Sequence, residues 1–318
     1  MHRVLVGLAA ASLGSASVAV RLAHGGSDSR LGGTPPAYRG VITFATTGNG
    51  DPFHPTVIQD FDLGSGALTV RFDGLEATRT RTGELAFLQR LAPGYYADHG
   101  VVVVDSRGVP GAPVFVCKGF NVSNNRICGT PKLAPTGRFV AFVATGSGTV
   151  CDGGYGMKWG SFVVVTDRAG KVLSQFEGYA APEWLPDGRL LMMGTQCRRG
   201  GIWMADGALR SLSRVDGDQV NTPASAPAVS PDGKTLAFVW NNQLWSLGLA
   251  GRPELTQLSA LAKPVTSAAW SPDGSSLAVI MFDVSMPVRS LALFRPGDQK
   301  SVVFRELGVY PYGPISWR

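Results

Sequence analysis

Only two histidines follow the first fifty residues of this chain, His54 and His99, and each stands close to an aspartate, Asp51 and Asp98 respectively. Imidazole and carboxylate supplied by two segments make a donor set for a divalent metal, provided the fold brings the segments together. Gly233-Lys234-Thr235 has the ending of a phosphate-binding loop. Ala228 stands where that motif requires its first glycine, however, and the surrounding residues read as a hairpin rather than a strand leading into a helix. Neither G-x-S-x-G nor H-E-x-x-H occurs, so the familiar serine-hydrolase and zinc-peptidase patterns are absent and no catalytic residue is assigned. The glycine-rich run TGSGTVCDGGYGMKWG, residues 145–160, could cradle an anion through its backbone N–H groups. It also carries Tyr155, Met157 and Trp159, side-chain types that anchor protein interfaces.

What must position these residues is a repeat. Ser225 to Gly251, SAPAVSPDGKTLAFVWNNQLWSLGLAG, reads as three strands joined by two tight turns. In the first turn Pro231 presets φ and Gly233 accepts a positive one; Asn241-Asn242 suits a primed hairpin for the second. Leu236, Phe238 and Trp240 alternate with Ala237 and Val239, so the predicted middle strand is apolar on both faces and its sheet must be stacked between neighbours. A copy at Thr266 to Met281 places Pro272 41 residues after Pro231, and another at Pro182 to Met193 places Pro186 45 residues before it. Weaker copies lie at Pro131 to Val143, at Thr80 to Phe87 and at Arg39 to Phe44. The last lacks a first strand, and GPISWR, residues 313–318, supplies a first strand with nothing after it. Repeats of this length predict a propeller or an array, and the split unit together with the lack of visible capping repeats favours a closed ring over a linear solenoid. The expected fold is therefore all-β, a six-bladed β-propeller of four-stranded antiparallel blades, with the ring closed by pairing the C-terminal strand with the N-terminal blade.

SPDGKTLAFVWNNQLWSLGLAG, with SPDG again at 271–274 and LPDG at 185–188, resembles the TolB-like propeller repeat. The resemblance is strongest in the three C-terminal copies and extends over about Tyr38 to Arg318. TolB proteins carry a separate α/β domain ahead of the propeller, whereas the residues ahead of it here read as a tether, so the resemblance concerns the propeller alone.

In such blades the SPDG-type turns share one face with the turns between third and fourth strands. The loops between second and third strands, which vary in length and include residues 47–56 with His54, 91–99 with His99, and 145–160, lie on the other face. Function is expected on that variable face. Cys151 and Cys197 fall in equivalent loops of adjacent blades, and Cys117 and Cys128 bracket one connector between blades, which predicts the pairs Cys117–Cys128 and Cys151–Cys197. Trp184, Trp270 and Trp317 share one repeat position and read as structural.

The chain has 318 residues, with 41 glycines and 21 prolines, which fits an all-β protein rich in turns. Residues 1–19, basic at the start and then apolar with small residues near Gly14 and Ala16 or Ser17 and Ala19, read as a secretory signal peptide. Residues 20–38 read as a flexible tether, and residues 39–318 as a single propeller domain. The net charge of +6 comes from scattered basic residues without interleaved aromatics, which argues against nucleic-acid binding. The expected protein is thus a periplasmic or secreted bacterial monomer without a membrane span after signal cleavage. Its expected role is non-enzymatic binding of an envelope protein or other periplasmic macromolecule, and no cofactor is required. The alternative is a hydrolase- or lyase-type propeller with an axial divalent-metal or small-ligand site at Asp51, His54, Asp98 and His99.

Overall fold

A computed structural model of the chain describes residues 38–47, 56–91, 98–117, 128–147, 159–259, 263–282, 289–296, 302–306 and 310–318. The expected signal peptide, and all but the last residue of the expected tether, lie outside these.

The strand Thr235–Trp240 illustrates the construction. Leu236 and Phe238 are buried with Leu185, Leu191 and Ile202 of the preceding sheet, while Ala237 and Val239 join Val265, Leu277 and Val279 of the following one. A strand apolar on both faces is satisfied only by a sheet on each side. The Asn241-Asn242 turn has φ of 51° and 62°, the primed geometry that matches strand twist.

Six four-stranded antiparallel sheets repeat this pattern. Their inner strands are Tyr310–Trp317 in blade 1, Ala77–Arg79 in blade 2 and Cys128–Leu133 in blade 3. Blades 4, 5 and 6 contribute Tyr179–Trp184, Ser225–Val229 and Val265–Trp270. The apolar core is divided among the seams between blades. At the seam of blades 6 and 1, for example, Ala269, Ile280 and Leu293 meet Phe44, Phe61 and Trp317.

Blade 1 is assembled from both ends of the described chain. Tyr310–Trp317 pairs antiparallel with Val41–Thr47, setting Ile42 opposite Trp317 and Thr43 opposite Ser316. Val41 N–H donates to the Arg318 carbonyl at 2.7 Å and Arg318 N–H to the Val41 carbonyl at 3.0 Å. In blade 5 the corresponding bond, Ser230 N–H to the Thr235 carbonyl at 2.8 Å, closes the SPDG turn. The chain break therefore occupies the place of one tight turn.

The motif residues act as the repeat implied. Asp232 accepts from the Ser230 hydroxyl at 2.6 Å and Lys234 N–H at 3.0 Å; Asp273 does the same with Ser271 at 2.5 Å and Ser275 at 3.0 Å. These bonds, the hydroxyl first, hold both carboxyls below the usual range. Gly233 and Gly274, at φ of 74° and 73°, lie beneath a proline of the preceding turn: a Cβ there would sit 3.2 Å from Pro186 Cδ and 3.3 Å from Pro231 Cδ. The tryptophans link blades. Trp184 and Trp270 donate from Nε1 to the carbonyls of Lys132 and Ala228 in the preceding inner strand, at 3.1 and 2.9 Å. At the split blade Trp317 bonds the Arg39 carbonyl instead, at 3.0 Å.

Cys117 and Cys128 are joined, tying the outer strand Phe115–Cys117 of blade 2 to the inner strand of blade 3. Cys197, in the short turn Gln196–Arg198, is also disulfide-bonded. Cys151, its expected partner, lies outside the described residues. No helix among the described residues is long and apolar enough to cross a membrane.

Two stability predictions follow from these links. Replacing both Cys117 and Cys128 by serine lowers stability by about 3 kcal/mol in urea unfolding, the chain-entropy value for so short a loop. Trp270→Phe keeps an aromatic ring but deletes the donor to the Ala228 carbonyl and part of the packed indole, and costs at least about 1 kcal/mol in the same assay.

Candidate functional site at the axis

One position of the inner strand comes from every blade to the axis. It directly precedes the repeat position that holds tryptophan in blades 1, 4 and 6 and Arg79, Leu133 and Val229 in the others, and it is occupied by Thr78, Lys132, Glu183, Ala228, Ala269 and Ser316. All six line a single cavity of about 210 Å³. Its rim is made by the tight turns, including Thr80, Arg81, Thr82, Pro186, Pro231 and Pro272. The described axial cavity thus sits at the SPDG end of the propeller. Most of the loops that the sequence assigns to the variable face, where function was expected, lie outside the described residues.

A backbone device shapes three of the six contributions. Thr130, Ala181 and Ala226, each two residues before the axial position, have φ of 46°, 46° and 48°. The register slips between Gly129 and Lys132, between Ala180 and Glu183, and between Ser225 and Ala228. A non-glycine residue in the left-handed region costs roughly 1 to 2 kcal/mol. A bulge re-aims the residues that follow it, and here those are Lys132, Glu183 and Ala228.

The charged groups are arranged around Lys132. Its Nζ donates to Glu183 Oε2, with both side chains largely buried. Glu76, just ahead of the inner strand of blade 2, accepts from Thr130 N–H of blade 3. It also lies over Gly313 of blade 1, where a Cβ would come within 2.7 Å of Glu76 Cγ and where φ is 72°, so only glycine serves both needs. Burial pushes the Glu76 carboxyl up to about 7, against the Thr130 N–H and the Lys132 charge. Burial raises Glu183 as well, with Lys132 again opposing. The Lys132 ammonium is therefore bonded to one carboxyl, Glu183, and opposes the burial of a second, Glu76, behind the cavity wall.

A second charged cluster seals the seam of blades 1 and 2. Asp60, 3% exposed, accepts from Arg71 Nε at 2.9 Å and from Arg79 Nη2 at 3.2 Å, and from the Thr43 hydroxyl at 2.6 Å. Arg79 N–H donates in turn to Ser316 Oγ at 3.0 Å. Across the rim, Arg81 Nη1 of blade 2 donates to the Pro231 carbonyl of blade 5 at 3.0 Å. The cavity thus offers ion-paired walls, hydroxyls and indole-bearing corners, the equipment for recognising a polar segment.

Most residues singled out from sequence fall elsewhere. Asp51, His54, Tyr155 and Met157 lie outside the described residues; of Trp159 only the backbone is described, paired with Ser147 at the start of strand Trp159–Asp167. His99 was expected in a loop but opens the strand His99–Val104, because its backbone pairs with Arg90 on one side and Cys117 on the other. Burial pushes its imidazole down and Arg90 adds to this, while Asp98 opposes. No group of three or more metal-ligating side chains is assembled among the described residues. Sequence reasoning missed Glu76, Lys132 and Glu183. The available signal was positional, since Lys132 and Glu183 stand beside Leu133 and Trp184 at the repeat position.

No family model matches the chain, and no curated protein matches it. Its fold is similar to TolB from Acinetobacter baumannii (TM-score 0.64, 15% identity, covering 90% of this chain and 68% of that one). It is also similar to a chain of a nidogen/laminin complex (0.56, 12%, 87% and 97%) and to an oligogalacturonate lyase in complex with manganese (0.52, 13%, 83% and 78%). At these identities the likeness concerns the fold, which is a TolB-like six-bladed propeller.

Glu76 gives a pH prediction. Its folded pKa lies above its unfolded value, so the unfolded chain releases this proton first as pH rises, and the group costs stability progressively from pH 4.5 to about 7. Measured by urea unfolding over that range, the stability of Glu76→Gln relative to the parent rises with pH and levels off above 7.

Proposed function

We propose that this chain is an exported, non-enzymatic binding module whose axial mouth on the tight-turn face receives a polar segment of an envelope protein or other periplasmic macromolecule. The observation that carries this reading is the axial cavity itself, to which every blade contributes one side chain at the same repeat position. Its volume admits one or two side chains and not a folded domain, which suits insertion of an extended segment. Two of its cations are already paired with carboxylates, Lys132 with Glu183 and Arg79 with Asp60, as suits recognition by hydrogen bonding. The Cys117–Cys128 disulfide fits the oxidising compartment that a periplasmic or secreted protein occupies, and the leader-like residues 1–19 provide a route to it.

The test fills the mouth. Ala228→Phe narrows the cavity wall, and Thr82→Trp adds bulk at an exposed rim position remote from the core. In photo-crosslinking from an envelope extract, each lowers partner recovery to about a tenth, the loss expected when a central contact is blocked, with the thermal transition retained. Unchanged recovery from both variants, together with loss on replacing residues 145–160 by a short turn, would move the site to the opposite face.

A further inference from the structure

Three cations line the axial cavity, and they are not equivalent. Arg79 is bound to Asp60, and Lys132 to Glu183. Arg81 is bound to a backbone carbonyl, Pro231 O, in the blade directly across the ring. Its turn, Thr80 to Gly83, occupies the place that SPDG takes in blades 5 and 6, so Arg81 stands where those turns have the rim proline. Substituting a long cation for a proline at this point produces a side chain that bars the mouth. A guanidinium has five N–H donors in a planar fork that matches a carboxylate. One is spent on Pro231, and no other hydrogen bond of Arg81 is made among the described residues. Partial burial pushes the Arg81 pKa down and the Asp232 charge opposes this, while Asp232 Oδ1 is committed to Ser230 and Lys234 within its own turn. Arg81 is exposed, and a neutral carbonyl is a weaker acceptor than a carboxylate, which forms charge-assisted bonds about twice as strong.

We propose that Arg81 is the receptor for a carboxylate group of the incoming segment, parked across the mouth on Pro231 until an acidic side chain or chain terminus displaces that contact. This assignment rests on the axial mouth being the binding site, and it names the chemistry of the partner: an acidic segment. With Arg79 and Lys132 each held by a carboxylate, Arg81 is the lining cation whose hydrogen-bond partner is neutral, and it favours the same sign of ligand.

The experiment uses the mouth's preference between charged probes, so it requires no knowledge of the partner. Ala228→Cys places a thiol on the cavity wall, and Ala269→Cys does so independently in the next blade. Each is treated with two methanethiosulfonate reagents of similar size, one carrying a sulfonate and one a trimethylammonium group, with rates normalised to those of the urea-unfolded protein. The anionic reagent reacts about tenfold faster in the native protein, within the range of electrostatic steering. Arg81→Gln abolishes that preference, and Arg81→Lys retains part of it. An equal preference in the parent and Arg81→Gln proteins would overturn the role of Arg81 and leave the mouth as a binding site. Failure of both reagents to reach either thiol in the native parent and in Arg81→Gln would overturn the axial reading together with it.

Discussion

The pairing of Tyr310–Trp317 with Val41–Thr47 is the constraint on which the remainder of the molecule depends. Each blade buries apolar side chains on both faces, so none is stable without two neighbours, and a row of such blades has two unsatisfied ends. Closing the ring removes both ends at once. The closing strand is placed by antiparallel pairing and by apolar contact, with Ile315 and Trp317 packed against Ala269 and Leu293 of blade 6. The exchange of hydrogen bonds between Arg318 and Val41 completes the turn that no covalent link spans. Asp60 then couples the closed blade to blade 2 through Arg79. A buried carboxylate of this kind is costly if its partner is removed, which makes the seam intolerant of misregister.

Closure also creates the axial site. A side chain at the axial position of the inner strand meets other blades only because six strands converge on one axis. Lys132 of blade 3 reaches Glu183 of blade 4, Glu76 of blade 2 reaches Thr130 of blade 3 and covers Gly313 of blade 1, and Arg81 of blade 2 reaches Pro231 of blade 5. The left-handed residues Thr130, Ala181 and Ala226 carry backbone strain at matching places in three successive blades. Strain repeated at the same strand position beside a cavity is offset by the packing around it and serves to aim the residues that follow.

Much of the architecture was legible in the residues themselves. SPDG and its variants counted blades because Pro, Asp and Gly have local conformational consequences: a preset φ, a side chain that bonds its own turn, and access to positive φ. The two-faced apolar alternation of Leu236 to Trp240 implied stacked sheets, and the solitary GPISWR implied a split blade. Cys117 and Cys128 were readable as a pair because they bracket one connector. His99 was misplaced by position within a loop, since strand ends are set by pairing partners far along the chain.

The sequence by itself determined the repeat, the number of blades, the tight turns and the structural tryptophans, because each rests on interactions within a few residues or on a pattern that recurs at fixed spacing. Only the tertiary structure decided which charges meet. Glu76 and Thr130 are 54 residues apart, Lys132 and Glu183 are 51 apart, and Arg81 and Pro231 are 150 apart. Nothing local marks such pairs, because proximity across an axis depends on the closure of the whole ring. For the same reason the face bearing the uniform SPDG turns, plain when read along the chain, holds the described cavity: its six wall residues share a repeat position but no common chemistry, and they become one site only at the point in space to which the blades converge.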